Sequence, residues 1–62
     1  MSIAAHMKQH RMEAAAAMLL NTNDDIAAVA NAVGYESQSR FAAAFRETYG
    51  KLPTEYRKNS AT

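Results

Sequence analysis

The sequence predicts an all-α fold, a small helical bundle, and three observations carry that prediction. An alanine-rich run free of glycine and proline fills the first third of the chain. Two short apolar stripes at helical spacing follow, Ile26 to Val33 and then Phe41 to Phe45, separated by Gly34 and Ser37. Gly50 and Pro53 then punctuate the entry into a last short helix. Helix, tight turn, helix is the order of a homeodomain-like helix-turn-helix, whose second helix can enter the DNA major groove. There is no internal repeat, no low-complexity linker and no strand-type alternation.

The first helix is expected over about residues 3–21, because Ala14 to Ala17 and Leu19 are strong helix formers. Met12, Ala15, Leu19 and Thr22 recur at helical spacing, with Met18 beside them, and predict one buried stripe. The polar cluster Asn21-Thr22-Asn23-Asp24-Asp25 ends this helix and offers caps for the next. Asp25 is the preferred N-cap, since Ile26 opens the following stripe and a carboxylate suits the helix dipole. Ile26, Val29, Ala30 and Val33 form the buried face of the second helix, and Gly34 supplies the left-handed residue that ends it. Ser37 caps a third helix over roughly 38–49, closed by Gly50. Phe41, Ala44, Phe45 and Thr48 should face inward; Ser39, Ala43 and Arg46 face outward, with Arg40 and Glu47 on the flank. Pro53 pre-sets the first turn of the last helix, which runs through Tyr56 and Arg57.

Size and composition exclude several classes. Sixty-two residues make one domain, and a chain this short buries only about 60% of its unfolded surface. Without cysteine it has neither a disulfide framework nor a thiolate zinc site. The longest apolar run, residues 14–20, falls short of the roughly 20 residues a bilayer span needs. It also lies behind His10, Arg11 and Glu13, too far in for a secretory signal. A soluble cytoplasmic protein is the expectation. Net charge is only +1, but its distribution is uneven: residues 1–39 carry −2 and residues 40–62 carry +3. Positive charge therefore collects at the third helix and beyond it, as phosphate binding requires.

Taken together, these residues resemble the second half of the DNA-binding region of the AraC/XylS family of bacterial transcription regulators. The resemblance rests on Arg11-Met12, Ala15, Met18-Leu19 and Thr22 in the first helix. It continues through Ile26, Val29-Ala30, Val33-Gly34-Tyr35, Ser37, Ser39, Phe41 and Phe45-Arg46, and ends on Gly50, Pro53 and Tyr56-Arg57. In that family two helix-turn-helix motifs are joined by a long helix and read adjacent major-groove segments. The resemblance implies that residues 1–22 are the connecting helix and residues 23–62 the second helix-turn-helix subdomain. It further implies a fragment or truncated member of a longer regulator, lacking the first motif and a companion domain. The partners it implies are double-stranded DNA and RNA polymerase, with no membrane.

Within that frame Gln38, Ser39 and Arg40 are the candidate base readers, because they occupy the first turn of the recognition helix. Glutamine suits adenine, arginine suits guanine and serine is permissive. Ala43 faces the groove in the same register. Ser37, Arg46 and Lys51 are the candidate phosphate contacts, which position without specifying. Three features depart from the family pattern. Ala43 stands where many members carry arginine. Leu52 stands where a serine or threonine commonly precedes the proline, so a hydroxyl cap worth about 0.5–2 kcal/mol is lost. Ala42, Ala43 and Ala44 leave the middle of the recognition helix nearly bare.

The other chemistries are weak. His6, His10 and Glu13 share one helical face, but with no further ligand they read as surface groups rather than a metal site. No nucleophile, base and orienting group come together, so an enzyme is not expected, and no cofactor is implied. The alternative is a helical protein-interaction module, using an exposed apolar face of the first helix at Met7, Met12 and parts of 14–20.

Overall fold

The computed structural model describes residues 3–60, which form four helices: α1 Ile3–Asn21, α2 Ile26–Ala32, α3 Gln38–Tyr49 and α4 Pro53–Ser60. Positions 1, 2, 61 and 62, included in the expected subdivision at 22/23, lie outside the described residues. The long helix α1 packs against all three of the others, α2 packs on α3, and α3 packs on α4.

Each helix end has a local cause. Thr22 terminates α1: its hydroxyl donates to the Met18 carbonyl at 2.8 Å and accepts from the Asp24 N–H at 3.3 Å. Thr22 is exposed, so it stops the helix and does not extend the buried stripe as its spacing suggests. Asp25 caps α2 as expected, its Oδ1 accepting from the Ala28 N–H at 2.8 Å. At Leu52 the hydroxyl half of a capping box is absent, as its residue type requires, but the other half is present: the Leu52 N–H donates to Glu55 Oε1 at 3.1 Å. Pro53 follows at the first helical position, where its missing N–H costs nothing, and α4 runs on past Arg57 to Ser60.

The core consists of Met12, Ala15, Ala16 and Leu19 from α1, Val29 and Ala30 from α2 with Val33 just beyond it, and Phe41, Ala44 and Phe45 from α3. Met12 has no exposed surface, so that part of the apolar face expected to be open on α1 is consumed in packing, while Met7 and Leu20 remain about half exposed. Ala44 is buried too, which leaves only Ala42 and Ala43 toward the outside. Thr48 is exposed, its hydroxyl returning to the Ala44 carbonyl at 3.1 Å instead of joining the core. Pro53, the first residue of α4, is fully buried.

The five aromatic side chains form one connected chain. Tyr35 meets Phe41 edge-on at 5.8 Å between ring centroids, and Phe41 meets Phe45 at 5.8 Å. Phe45 then meets Tyr49 at 4.7 Å and Tyr56 at 5.2 Å, and those two tyrosines lie 5.5 Å apart. Such pairs contribute about 0.5–1.5 kcal/mol beyond area burial. Arg57 closes the far end of the bundle. Its Nε donates to the Leu19 carbonyl at 3.0 Å and its Nη2 to the Thr22 carbonyl at 3.4 Å, satisfying open acceptors at the end of α1.

Phe45→Ala should cost about 3–5 kcal/mol, since it removes a fully buried ring that touches three others. A circular-dichroism melt should show the variant largely unfolded at the temperature where the parent is folded. Tyr49 gives a second check through pH. Burial pushes its hydroxyl pKa above the ordinary 10.0, and the nearby Tyr56 and Glu13 charges add to the rise. The unfolded chain therefore releases this proton first as pH climbs. The stability linked to it is whole below about pH 10 and is lost as pH rises through the higher folded value. Tyr49→Phe should accordingly flatten the fall of Tm above about pH 10 in melts taken across that range.

Candidate nucleic-acid interface

The turn between α2 and α3 is built to present the start of α3. After Val33 the chain enters the left-handed region at Gly34, with φ of 91°. The Gly34 N–H then donates to the Asn31 carbonyl at 3.1 Å, and the Tyr35 N–H to the Ala30 carbonyl at 2.9 Å. These two bonds are the reverse turn of a Schellman motif, which absorbs the last carbonyls of α2. Two residues later Ser37 starts α3, its Oγ accepting from the Arg40 N–H at 3.3 Å. Tyr35 is half-buried against Phe41, so the turn is fastened to the core from inside.

α3 consequently has two faces with different duties. Phe41, Ala44 and Phe45 lie in the core. Gln38, Ser39, Arg40, Ala43 and Arg46 are exposed, and so is Lys51 just past the left-handed Gly50. Ser37 is half-buried; its oxygen is occupied by the cap, and its O–H remains able to donate. Ser39, Ala43 and Arg46 line one shallow groove of about 640 Å³. Ala42, Glu47 and Leu52 complete its walls. Gln38 and Arg40 stand outside that groove, at the N-terminal end of the helix.

The cations divide by what they touch. Lys8 pairs with Glu47 at 3.2 Å across α1 and α3, an exposed bridge worth at most about 1 kcal/mol. Arg57 is engaged by the α1 carbonyls. Arg11 lies over the turn: a Cβ placed on Gly34 would sit 3.7 Å from the Arg11 Cζ. The side chains of Arg40, Arg46 and Lys51 make no hydrogen bond or ion pair with another described residue. They are the cations left on the side of α3 that faces away from the core. Glu36 is exposed and does not pair with Arg40 among the described residues. The structural duties of Arg57 and Glu55, and the place of Leu52 in the groove wall, were not read from the sequence. A basic residue close to the Gly-Pro tail signals charge, and its hydrogen-bond partners 38 and 35 residues away are visible only in three dimensions.

The histidines of α1 sit edge to face, with ring centroids 6.1 Å apart. Among the described residues no group of three or more His, Cys, Asp or Glu side chains is arranged to hold a metal ion. No helix of the described residues is long and apolar enough to cross a membrane.

A four-helix unit with a capped turn and an exposed, cationic third helix defines a helix-turn-helix domain, and a helix-turn-helix domain family matches residues 1–59. Over 56 residues the chain is 36% identical to the HTH-type transcriptional regulator AlkR of Acinetobacter baylyi, covering 90% of this chain and 18% of that protein. It is 37% identical over 54 residues to a putative AraC-like transcription regulator of Streptomyces lividans, covering 87% of this chain and 18% of that protein. Among solved structures, a DNA-binding transcriptional dual regulator from Escherichia coli K-12 matches with a TM-score of 0.94 and 36% identity. That match covers 98% of this chain and 55% of the other. The chain belongs to the AraC-type helix-turn-helix family, the DNA-binding domains of bacterial transcription regulators. It spans about a fifth of the length of the curated relatives it matches.

The turn offers its own test. The space at Gly34 would admit a methyl group, with Arg11 atoms at ordinary contact distance. Backbone conformation is therefore the whole objection to a side chain. Gly34→Ala should cost about 1–2 kcal/mol, the penalty of a left-handed L-residue, and Gly34→Asn clearly less. Thermal melts of the two variants beside the parent give that order.

Proposed function

We propose that this chain binds double-stranded DNA by inserting α3 into the major groove, in the service of transcription control. Gln38, Ser39, Arg40 and Ala43 then face base edges, while Ser37, Arg46 and Lys51 meet phosphates. The observation that carries the reading is the set of unengaged cations at α3. Lys8 and Arg57 have structural partners, whereas the side chains of Arg40, Arg46 and Lys51 are exposed and unengaged along the outer side of α3 and just beyond it, with exposed Lys58 on α4 adding to the positive charge of this half. A helix whose one side is core and whose other side is polar, cationic and unengaged has the form of a recognition helix. The capped N-terminus of α3 adds the favourable end of the helix dipole to any phosphate near Ser37.

In this reading α1, residues 1–22, is the connecting helix of a two-motif reader, and residues 23–62 are its second subdomain. A first helix-turn-helix, a companion domain and RNA polymerase are the further partners of the complete regulator, and its compartment is the cytoplasm. The chain carries no catalytic role and takes no cofactor. With one reading helix the affinity should be modest and strongly salt-dependent, because phosphate neutralisation supplies most of it.

Arg46→Ala should weaken binding to all duplexes alike and reduce the log–log salt slope by about one. Arg40→Ala should cost about 1–3 kcal/mol on a preferred duplex and little on random DNA. Fluorescence-anisotropy titrations at several salt concentrations separate the two. Amide shifts that map to α1 and leave residues 37–46 unmoved on adding duplex would overturn the assignment.

A further inference from the structure

The features in which the sequence departs from the family pattern are far apart along the chain, yet the fold brings them to one place. Ala42 and Ala43 lie on α3 and Leu52 follows it, and all three line the same open groove of about 640 Å³. Leu52 keeps 38% of its surface exposed and turns that surface into the groove. Its aliphatic side chain has no acceptor with which to cap α4. Ala42 is half-buried and Ala43 exposed, so their methyl groups form the apolar floor beside the Leu52 wall. The polar groups of the groove stand at its margins: Ser39 toward the start of α3, and Arg46 and Glu47 one to two turns on. Glu47 is already paired with Lys8.

We infer that this apolar groove makes α3 selective for thymine, by receiving the C5 methyl group of one or two thymines in the major groove. The inference rests on the DNA-binding reading and names the base class its middle register takes. Among the base-pair edges displayed in the major groove, only thymine offers an apolar group. Cytosine carries only a ring C–H where thymine carries its methyl and would leave the space between Ala43 and Leu52 unfilled, while a purine edge set there would lose water from its N7 acceptor and gain no partner. The alanines therefore select by reward and by penalty together. Arg46, at the margin of the groove, holds the register by phosphate contact while the floor reads the methyl. The midsection of α3 is thus an apolar reader, complementary to the polar first turn.

Uracil tests this directly, because it removes the methyl and leaves every hydrogen-bonding group of thymine in place. A preferred duplex is first selected from a random pool with the full chain, and its thymines are then replaced by uracil one at a time. One or two replacements should weaken binding about fourfold, the worth of one buried methyl group, and the others should be neutral. In Ala43→Ser and Leu52→Ala, both at exposed positions, the uracil penalty should fall below about twofold. Equal affinity for every uracil duplex overturns the inference while leaving the DNA reading intact, and so does a penalty unchanged in both variants. Failure to bind any duplex above background removes the DNA reading and this inference with it.

Discussion

Phe45 is the contact on which the rest of the structure depends. It is fully buried, and its ring meets Phe41 and Tyr49 along α3 and Tyr56 from α4. Phe41 passes the contact on to Tyr35 in the turn. A domain of this size has a small core, and concentrating it on one side of α3 fixes which way that helix faces. Burying the Phe41–Phe45 side forces Ser39, Ala43 and Arg46 outward. Core packing and the presentation of the candidate interface are one event seen from two sides.

Helix α3 would still be free to slide or tilt if its ends were not pinned. The Schellman turn and the Ser37 cap fix its start within a few residues of α2. At its other end the left-handed Gly50 turns the chain, and Pro53, the first residue of α4, is buried. Arg57 then ties α4 to the last carbonyls of α1. Substituting lysine for it would keep the charge and lose the planar fork that reaches two carbonyls at once. The arginine acts through hydrogen-bond geometry more than through its charge.

Much of this was legible in the sequence because its causes are local. Helix spacing marked Met12, Ala15, Leu19, Val29, Val33, Phe41 and Phe45 as core, and all seven are buried. Asp25, Gly34, Ser37 and Gly50 carry the cap chemistry that their residue types suggest. The misreadings share a different cause. Thr22 and Thr48 fit the apolar spacing, but each hydroxyl bonds a carbonyl one turn back and keeps the residue outside the core. The alternative reading, an open apolar face at Met7, Met12 and parts of 14–20, fails at Met12 because nothing in one helix's periodicity says how many others pack on it. The hydroxyl cap missing at Leu52 was legible, but the Glu55 carboxylate that reaches back to the Leu52 N–H was not. Long-range partners, such as those of Arg57, have no sequence signature at all.

The order of interactions along α3 follows from the same division of faces. Its first turn holds side chains with directed donors and acceptors, Gln38, Ser39 and Arg40, on exposed backbone positions next to the cap. Its middle turn must supply Phe41, Ala44 and Phe45 to the core, and the residues between them on the outside are alanines. Small side chains there let the helix backbone approach a flat surface closely, which long side chains would prevent. In the proposed DNA reading, that close approach would bring the polar first turn within hydrogen-bond reach of base edges and set Arg46 and Lys51 near the flanking backbone. The bare middle of the helix would then be a condition for reading by its end, with its methyl groups left to discriminate among the bases they face.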